Sequence, residues 1–208
     1  CYDNTITFTD THRSEPMKEM VMSQEQIQTI CQKLGNQLTI ELAHEEKIPL
    51  FVGVMKGALN FFYSLVPYVK RKIMTDFVET SSYEGTHSTG IVRLTKDLSI
   101  SPNGRTLVIV EDVVDTGLSM KFLVAYLKQH YKPKRILICA LFDKQAMRKE
   151  DVKVDFSGMV LTENKFLIGF GLDYRELDRE LPYVYVPEEK DIQEMDAMLD
   201  GDKAESLR

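Results

Sequence analysis

Leu107-Val108-Ile109-Val110 sets four apolar residues in a row and runs directly into Glu111-Asp112-Val113-Val114-Asp115-Thr116-Gly117-Leu118-Ser119-Met120. An apolar run without polar alternation is the mark of a strand covered on both faces, the condition met inside a parallel sheet. Runs at residues 50–55, 135–142 and 166–170 also read as buried strands. Between them lie helical patterns. Ser23-Gln24-Glu25-Gln26 forms a capping box, and Ile27, Ile30, Cys31, Leu34 and Leu38 then recur at helical spacing towards about Glu46, before Pro49. Residues 58–69, 119–130 and 188–199 also read as helices. Residues 72–82 and 91–96 read as the arms of a hairpin around the Ser/Thr/Gly-rich loop 83–90, and 182–186 as a short extended piece. The expectation is an α/β fold with a mostly parallel central sheet flanked by helices.

Ligands of such sheets bind beyond the carboxyl ends of the strands. That rule selects Lys56-Gly57, residues 111–119 and Asp143-Lys144. The middle segment is the richest. Gly117 permits a tight turn in which successive N–H groups converge on an anion, and the following helix adds its dipole. Thr116 and Ser119 supply hydroxyl donors. The acids Glu111, Asp112 and Asp115 repel phosphate, so they suit hydroxyl groups or a hydrated divalent ion. Phosphate, vicinal hydroxyls and a metal together describe a sugar phosphate. The plainer reading is a polar loop in which Asp115 or Thr116 caps a helix.

Charge and cysteine usage narrow the setting. The formal net charge of −6 over 208 residues disfavours a nucleic-acid or anionic membrane partner. Cys1, Cys31 and Cys139 have neither metal-knuckle nor disulfide spacing, and Cys139 lies in an apolar run that predicts a buried thiol. The first residues are polar and hold no stretch of signal or membrane length, so a reducing cytoplasm is the simplest expectation. His12, His44, His87 and His130 show no ligand spacing, and Met17, Met20 and Met22 read as packing residues.

The strand, acids and Thr-Gly turn resemble the motif with which type I phosphoribosyltransferases bind 5-phosphoribosyl 1-diphosphate. The likeness extends to the hypoxanthine-guanine branch of that family through Val54-Met55-Lys56-Gly57, Ser82-Tyr83, Ser88-Thr89-Gly90, Asp143-Lys144, the stretch from Lys165 to Tyr174, and Arg179. It covers roughly residues 49–186, and several motifs in order are more specific than any one.

The resemblance implies a single domain over residues 1–208, with a hood formed by the N-terminal segment and roughly residues 150–187. It implies that Glu111 and Asp112 hold the ribose hydroxyls, directly or through Mg2+. It makes Asp115 the candidate acceptor of the purine N7 proton or an electrostatic stabiliser, and residues Asp115, Thr116, Gly117, Leu118 and Ser119 the 5′-phosphate cradle. Lys56, Gly57 and Arg179 would bind diphosphate, and the Met55–Lys56 peptide can be cis. Lys144 would donate to the base's O6, which favours a 6-oxopurine over adenine. Phe166 would stack on the base and the Leu167 backbone would read its edge. Asp173 would order water around a second Mg2+, and Ser82 and Tyr83 would belong to a lid closing over the reaction. A homodimer or homotetramer is also implied. Taken singly, Lys56, Lys144 and Arg179 read as solvated charges, and Phe166 alone gives no way to choose between a core aromatic and a stacking one.

Three other readings compete. A catalytically inactive regulator of the same fold would have less need of Asp115, Lys144, Phe166 and Asp173 together. A transferase for another base fits Lys144 and Phe166-Leu167 less well. A dinucleotide-binding domain would carry a glycine triplet after the strand, and none is present there.

Overall fold

The computed structural model of the protein describes residues 19–82 and 92–206. Strands β1 (Glu19–Met22), β2 (Leu50–Met55), β3 (Met74–Ser82), β4 (Val92–Lys96), β5 (Thr106–Val114), β6 (Arg135–Asp143), β7 (Phe156–Val160) and β8 (Val184–Val186) are joined with helices α1 (Gln24–Glu41), α2 (Leu59–Leu65), α3 (Leu118–His130) and α4 (Glu189–Ser206). Six strands form the central sheet in the order β4-β3-β2-β5-β6-β7. Neighbours pair parallel except the β3/β4 hairpin. A separate two-stranded antiparallel sheet joins β1 to β8.

The period-two geometry of strands explains the unbroken apolar runs. Val108 and Val110 of β5 pack into one core with Ile27, Leu34 and Leu38 of α1 and Phe61 and Phe62 of α2. Leu107 and Ile109 face the other way, onto Met120, Leu123 and Leu127 of α3. Cys139 is fully buried, and desolvation pushes its thiol well above the ordinary range.

The Ser23 capping box is present in full, but α1 stops at Glu41, short of the expected Glu46. β5 runs on past Val110 to Val114, because Val113 and Val114 stay in register with Phe142 and Asp143 of β6. The strand expected at residues 166–170 does not form. Gly169, Phe170 and Gly171 have φ of 100°, 53° and 102°, which coils the chain out of extended geometry. Only isolated bridges remain, Ile168 to Tyr185 and Gly169 to Leu172. Met22 is buried as a packing residue, whereas Met20 is 57% exposed.

Candidate active site

The three loops singled out by the strand-end rule converge. Gly57, just after β2, lies against the end of β5: a Cβ built on Gly57 would sit 1.9 Å from Asp112 Oδ2. No larger residue fits there without moving the carboxylate. The Met55–Lys56 peptide preceding it is cis. Gly171 backs onto the same turn, its own missing Cβ pointing 2.1 Å from the Gly57 carbonyl oxygen. Gly57 thereby sits pressed between Asp112 and Gly171.

Glu111 and Asp112 sit in the last part of β5. Burial raises the proton affinity of both, and the neighbouring Asp112 charge raises that of Glu111 further. Two adjacent desolvated carboxylates are costly without a compensating cation. Among the described residues no group of three or more His, Cys, Asp or Glu is arranged to hold a metal. The pair still fits magnesium, which takes one or two carboxylates and completes its shell with water and substrate phosphate oxygens.

Beyond β5 the chain turns at Gly117, whose φ of 85° places it in the left-handed region. Residues 113–120 with Glu111 line a small hollow of about 100 Å³ at the start of α3. Leu118 and Ser119 are exposed there, and the Leu118 N–H donates to Thr116 Oγ1 at 3.4 Å. The N-terminus of α3 opens towards the same hollow.

Lys144 follows β6, the strand that fixes the acids' register. Its side chain is only 8% exposed, and its ammonium lies 3.3 Å from Asp115 Oδ2. The other Asp115 oxygen, Oδ1, is buried and accepts no hydrogen bond among the described residues. An orphaned buried acceptor calls for a donor, and a ligand N–H is one way to supply it.

Phe166 is 52% exposed, which removes the core reading, and meets Tyr174 edge-on at 6.2 Å. Leu167 beside it is buried. Arg179 is turned inward: it pairs with Asp173 at 2.9 Å and donates to Glu176 Oε2 at 3.1 Å and to the Gly171 carbonyl at 2.6 Å. Asp173 also accepts from the Glu176 N–H at 2.7 Å. Lys56 reaches the same Glu176 carboxylate at 3.2 Å. Glu176 thus holds both cations expected to meet diphosphate. Its neighbourhood of alternating charges carries no motif that marks it in the sequence. Ser82 ends β3; Tyr83 and loop 83–90 lie outside the described residues.

A family model for the phosphoribosyl transferase domain matches residues 21–175. The chain belongs to the phosphoribosyltransferase family. It is 40% identical over 171 residues to a hypoxanthine-guanine phosphoribosyltransferase of Bacillus subtilis, covering 82% of this chain and 93% of that one. A Staphylococcus aureus hypoxanthine phosphoribosyltransferase crystal structure superposes with a TM-score of 0.77 at 36% identity, over 84% of this chain and 93% of the other. A Bacillus anthracis hypoxanthine-guanine phosphoribosyltransferase, solved with a HEPES molecule in its active site, gives 0.74 at 31% identity, over 82% and 96%. This phosphoribosyltransferase is a purine salvage enzyme of the type I fold; the relatives lend nothing to the inactive-regulator reading.

Proposed function

We propose that the site transfers the phosphoribosyl group of 5-phosphoribosyl 1-diphosphate to N9 of hypoxanthine or guanine, giving IMP or GMP and diphosphate. The observation that carries the assignment of roles is the convergence of Lys144 and Asp115, with one Asp115 oxygen buried and unpaired among the described residues. A 6-oxopurine offers both complements, an O6 acceptor for the ammonium and an N7 proton for the carboxylate.

In this reading the N–H groups and hydroxyls of residues 115–119 hold the 5′-phosphate. Glu111 and Asp112 hold the ribose hydroxyls. Lys56 and Arg179, once they leave Glu176, receive the diphosphate together with the Gly57 N–H. Phe166 stacks on the base and the Leu167 backbone reads its edge. As N9 bonds to C1′ and the bond from C1′ to diphosphate breaks, Asp115 accepts the N7 proton or stabilises the positive charge on the ribose. Glu111 and Asp112 would hold magnesium, which when bound offsets the diphosphate charge, and Asp173 would order water around a second ion. The β1/β8 sheet and roughly residues 161–187 would form the hood over the base; residues 156–160, also expected there, instead form β7 at the edge of the central sheet. Ser82 and Tyr83 would serve the lid. No helix among the described residues is long and apolar enough to cross a membrane. A cytoplasmic homodimer or homotetramer without nucleic-acid partners completes the proposal.

A spectrophotometric assay with hypoxanthine, guanine, xanthine and adenine, each with phosphoribosyl diphosphate and magnesium, tests it. Turnover of hypoxanthine or guanine that a chelator abolishes is expected. Preference for adenine, or full activity in metal-free buffer, would overturn the corresponding part.

A further inference from the structure

We infer that Arg148, outside the motif that forms the cradle, is a positioning residue that aims the phosphate-binding amides. The inference rests on reading residues 115–119 as the 5′-phosphate cradle. The Arg148 side chain is 16% exposed and pairs with the buried carboxylate of Asp143. Its Nε donates to the Asp115 carbonyl at 3.1 Å and its Nη2 to the Val114 carbonyl at 3.3 Å. The two residues that follow complete the set: the Lys149 and Glu150 N–H groups both donate to the Thr116 carbonyl, at 2.9 and 3.1 Å.

Three successive carbonyls, those of Val114, Asp115 and Thr116, are therefore all drawn towards residues 148–150. A trans peptide is planar, with its C=O and the next residue's N–H pointing in opposite directions. Holding those carbonyls turns the N–H groups of Asp115, Thr116 and Gly117 away from Arg148. None of these three N–H groups has an acceptor among the described residues. Gly117 also carries no Cβ where one would sit 2.9 Å from Arg148 Cδ, so the guanidinium stem packs directly on the turn. Isolated N–H groups in a loop would sample many directions; tied from behind, they stay aimed without reorganising when phosphate arrives. Arg148 is suited to this because its planar fork reaches several acceptors at once, which an ammonium on a flexible stem does not. Through Asp143, next to Lys144, the same side chain links the base-side strand end to the phosphate side.

The test is calorimetric, on the whole protein. Dissociation constants for ribose 5-phosphate and for diphosphate with magnesium are measured for the unaltered chain, for Arg148→Lys, and for Arg148→Gln combined with Asp143→Asn. The double variant leaves no unpaired buried charge and keeps the test open should the single one fail to fold. The expected result is a rise of roughly tenfold or more in the ribose 5-phosphate constant. The diphosphate constant, set by Lys56 and Arg179, stays within about twofold. An unchanged ribose 5-phosphate constant in a folded variant overturns the inference. So does equal weakening of both ligands, which marks general loosening. If the unaltered chain binds diphosphate but no ribose 5-phosphate, the cradle reading itself fails and this inference falls with it.

Discussion

The Lys144 ammonium lies 3.3 Å from Asp115 Oδ2, while Asp115 Oδ1 is buried with no partner among the described residues. The lysine screens one oxygen and leaves the other to accept. Asp115→Asn keeps the shape and removes the charge. General-base or electrostatic roles of this kind contribute about a hundredfold or more, so kcat should fall by at least roughly that factor. Binding of phosphoribosyl diphosphate should change little, because the backbone cradle survives. Near-normal kcat would reduce Asp115 to a loop residue.

Lys144→Gln tests base selection. A charged donor gives way to a group that both donates and accepts, and Asp115 loses its counter-charge. A loss of about 1.5–3 kcal/mol in kcat/KM for 6-oxopurines is expected. Discrimination against adenine should narrow in the same assay; kinetics that do not move would make Lys144 a structural partner of Asp115 alone.

Glu176 holds Lys56 and Arg179 where diphosphate is expected to bind. Those two cations pull its carboxyl below the usual range, Arg179 more than Lys56. Glu176 is also well exposed, so each contact is worth little by itself. Glu176→Gln should nevertheless tighten product inhibition by diphosphate, by roughly twofold to tenfold. Weaker inhibition would show that Glu176 organises the cations instead of competing for them.

Away from the site, Glu45, in the turn after α1, reaches Lys134 and Arg135 at the start of β6. Its side chain is 7% exposed. A hydrogen bond from Lys134 is the main cause that takes its carboxyl from 4.5 down to about 2, with Thr106 and Arg135 adding to it against the cost of burial. A depressed carboxylate contributes stability above its unfolded value and loses it as pH falls through the folded one. Glu45→Gln should therefore cost about 1–2 kcal/mol at neutral pH, read as a lower Tm. The difference from the unaltered protein should shrink between about pH 4.5 and 2. A gap that persists at pH 2 would trace the loss to shape, not charge.

The parts of the molecule legible in the sequence are those in which local pattern and tertiary role agree. Val108-Ile109-Val110 is apolar because both sheet faces are covered. Ser23 and Gln26 cap α1 because the orphan amides need them. Residues 166–170 look like another such strand, since Phe, Leu and Ile say nothing of the left-handed turns at Gly169 and Gly171. β7, Phe156–Val160, carries Ser and Gly at an edge and has no strand signature in the sequence, because an edge strand lacks the double burial that writes itself into composition. Arg148 and Glu176 were invisible for a different reason. Each is one charge among many, and only the fold reveals which carbonyls or cations it meets.

The pairing of β1 with β8 joins Met22 to Val184, roughly 160 residues further along the chain. Chain synthesis runs at about 5–20 residues per second, and distant contacts wait for their second partner. β5, β6 and residues 148–150 are all made before the segment carrying Val184, so their mutual contacts become possible first. During that interval the nascent chain would have its acids in place before the Ile168–Tyr185 bridge could seat Phe166 and Leu167 beside them. The expected order is that the part of the site built on β5 and β6 is acquired before the part built on residues 166–185.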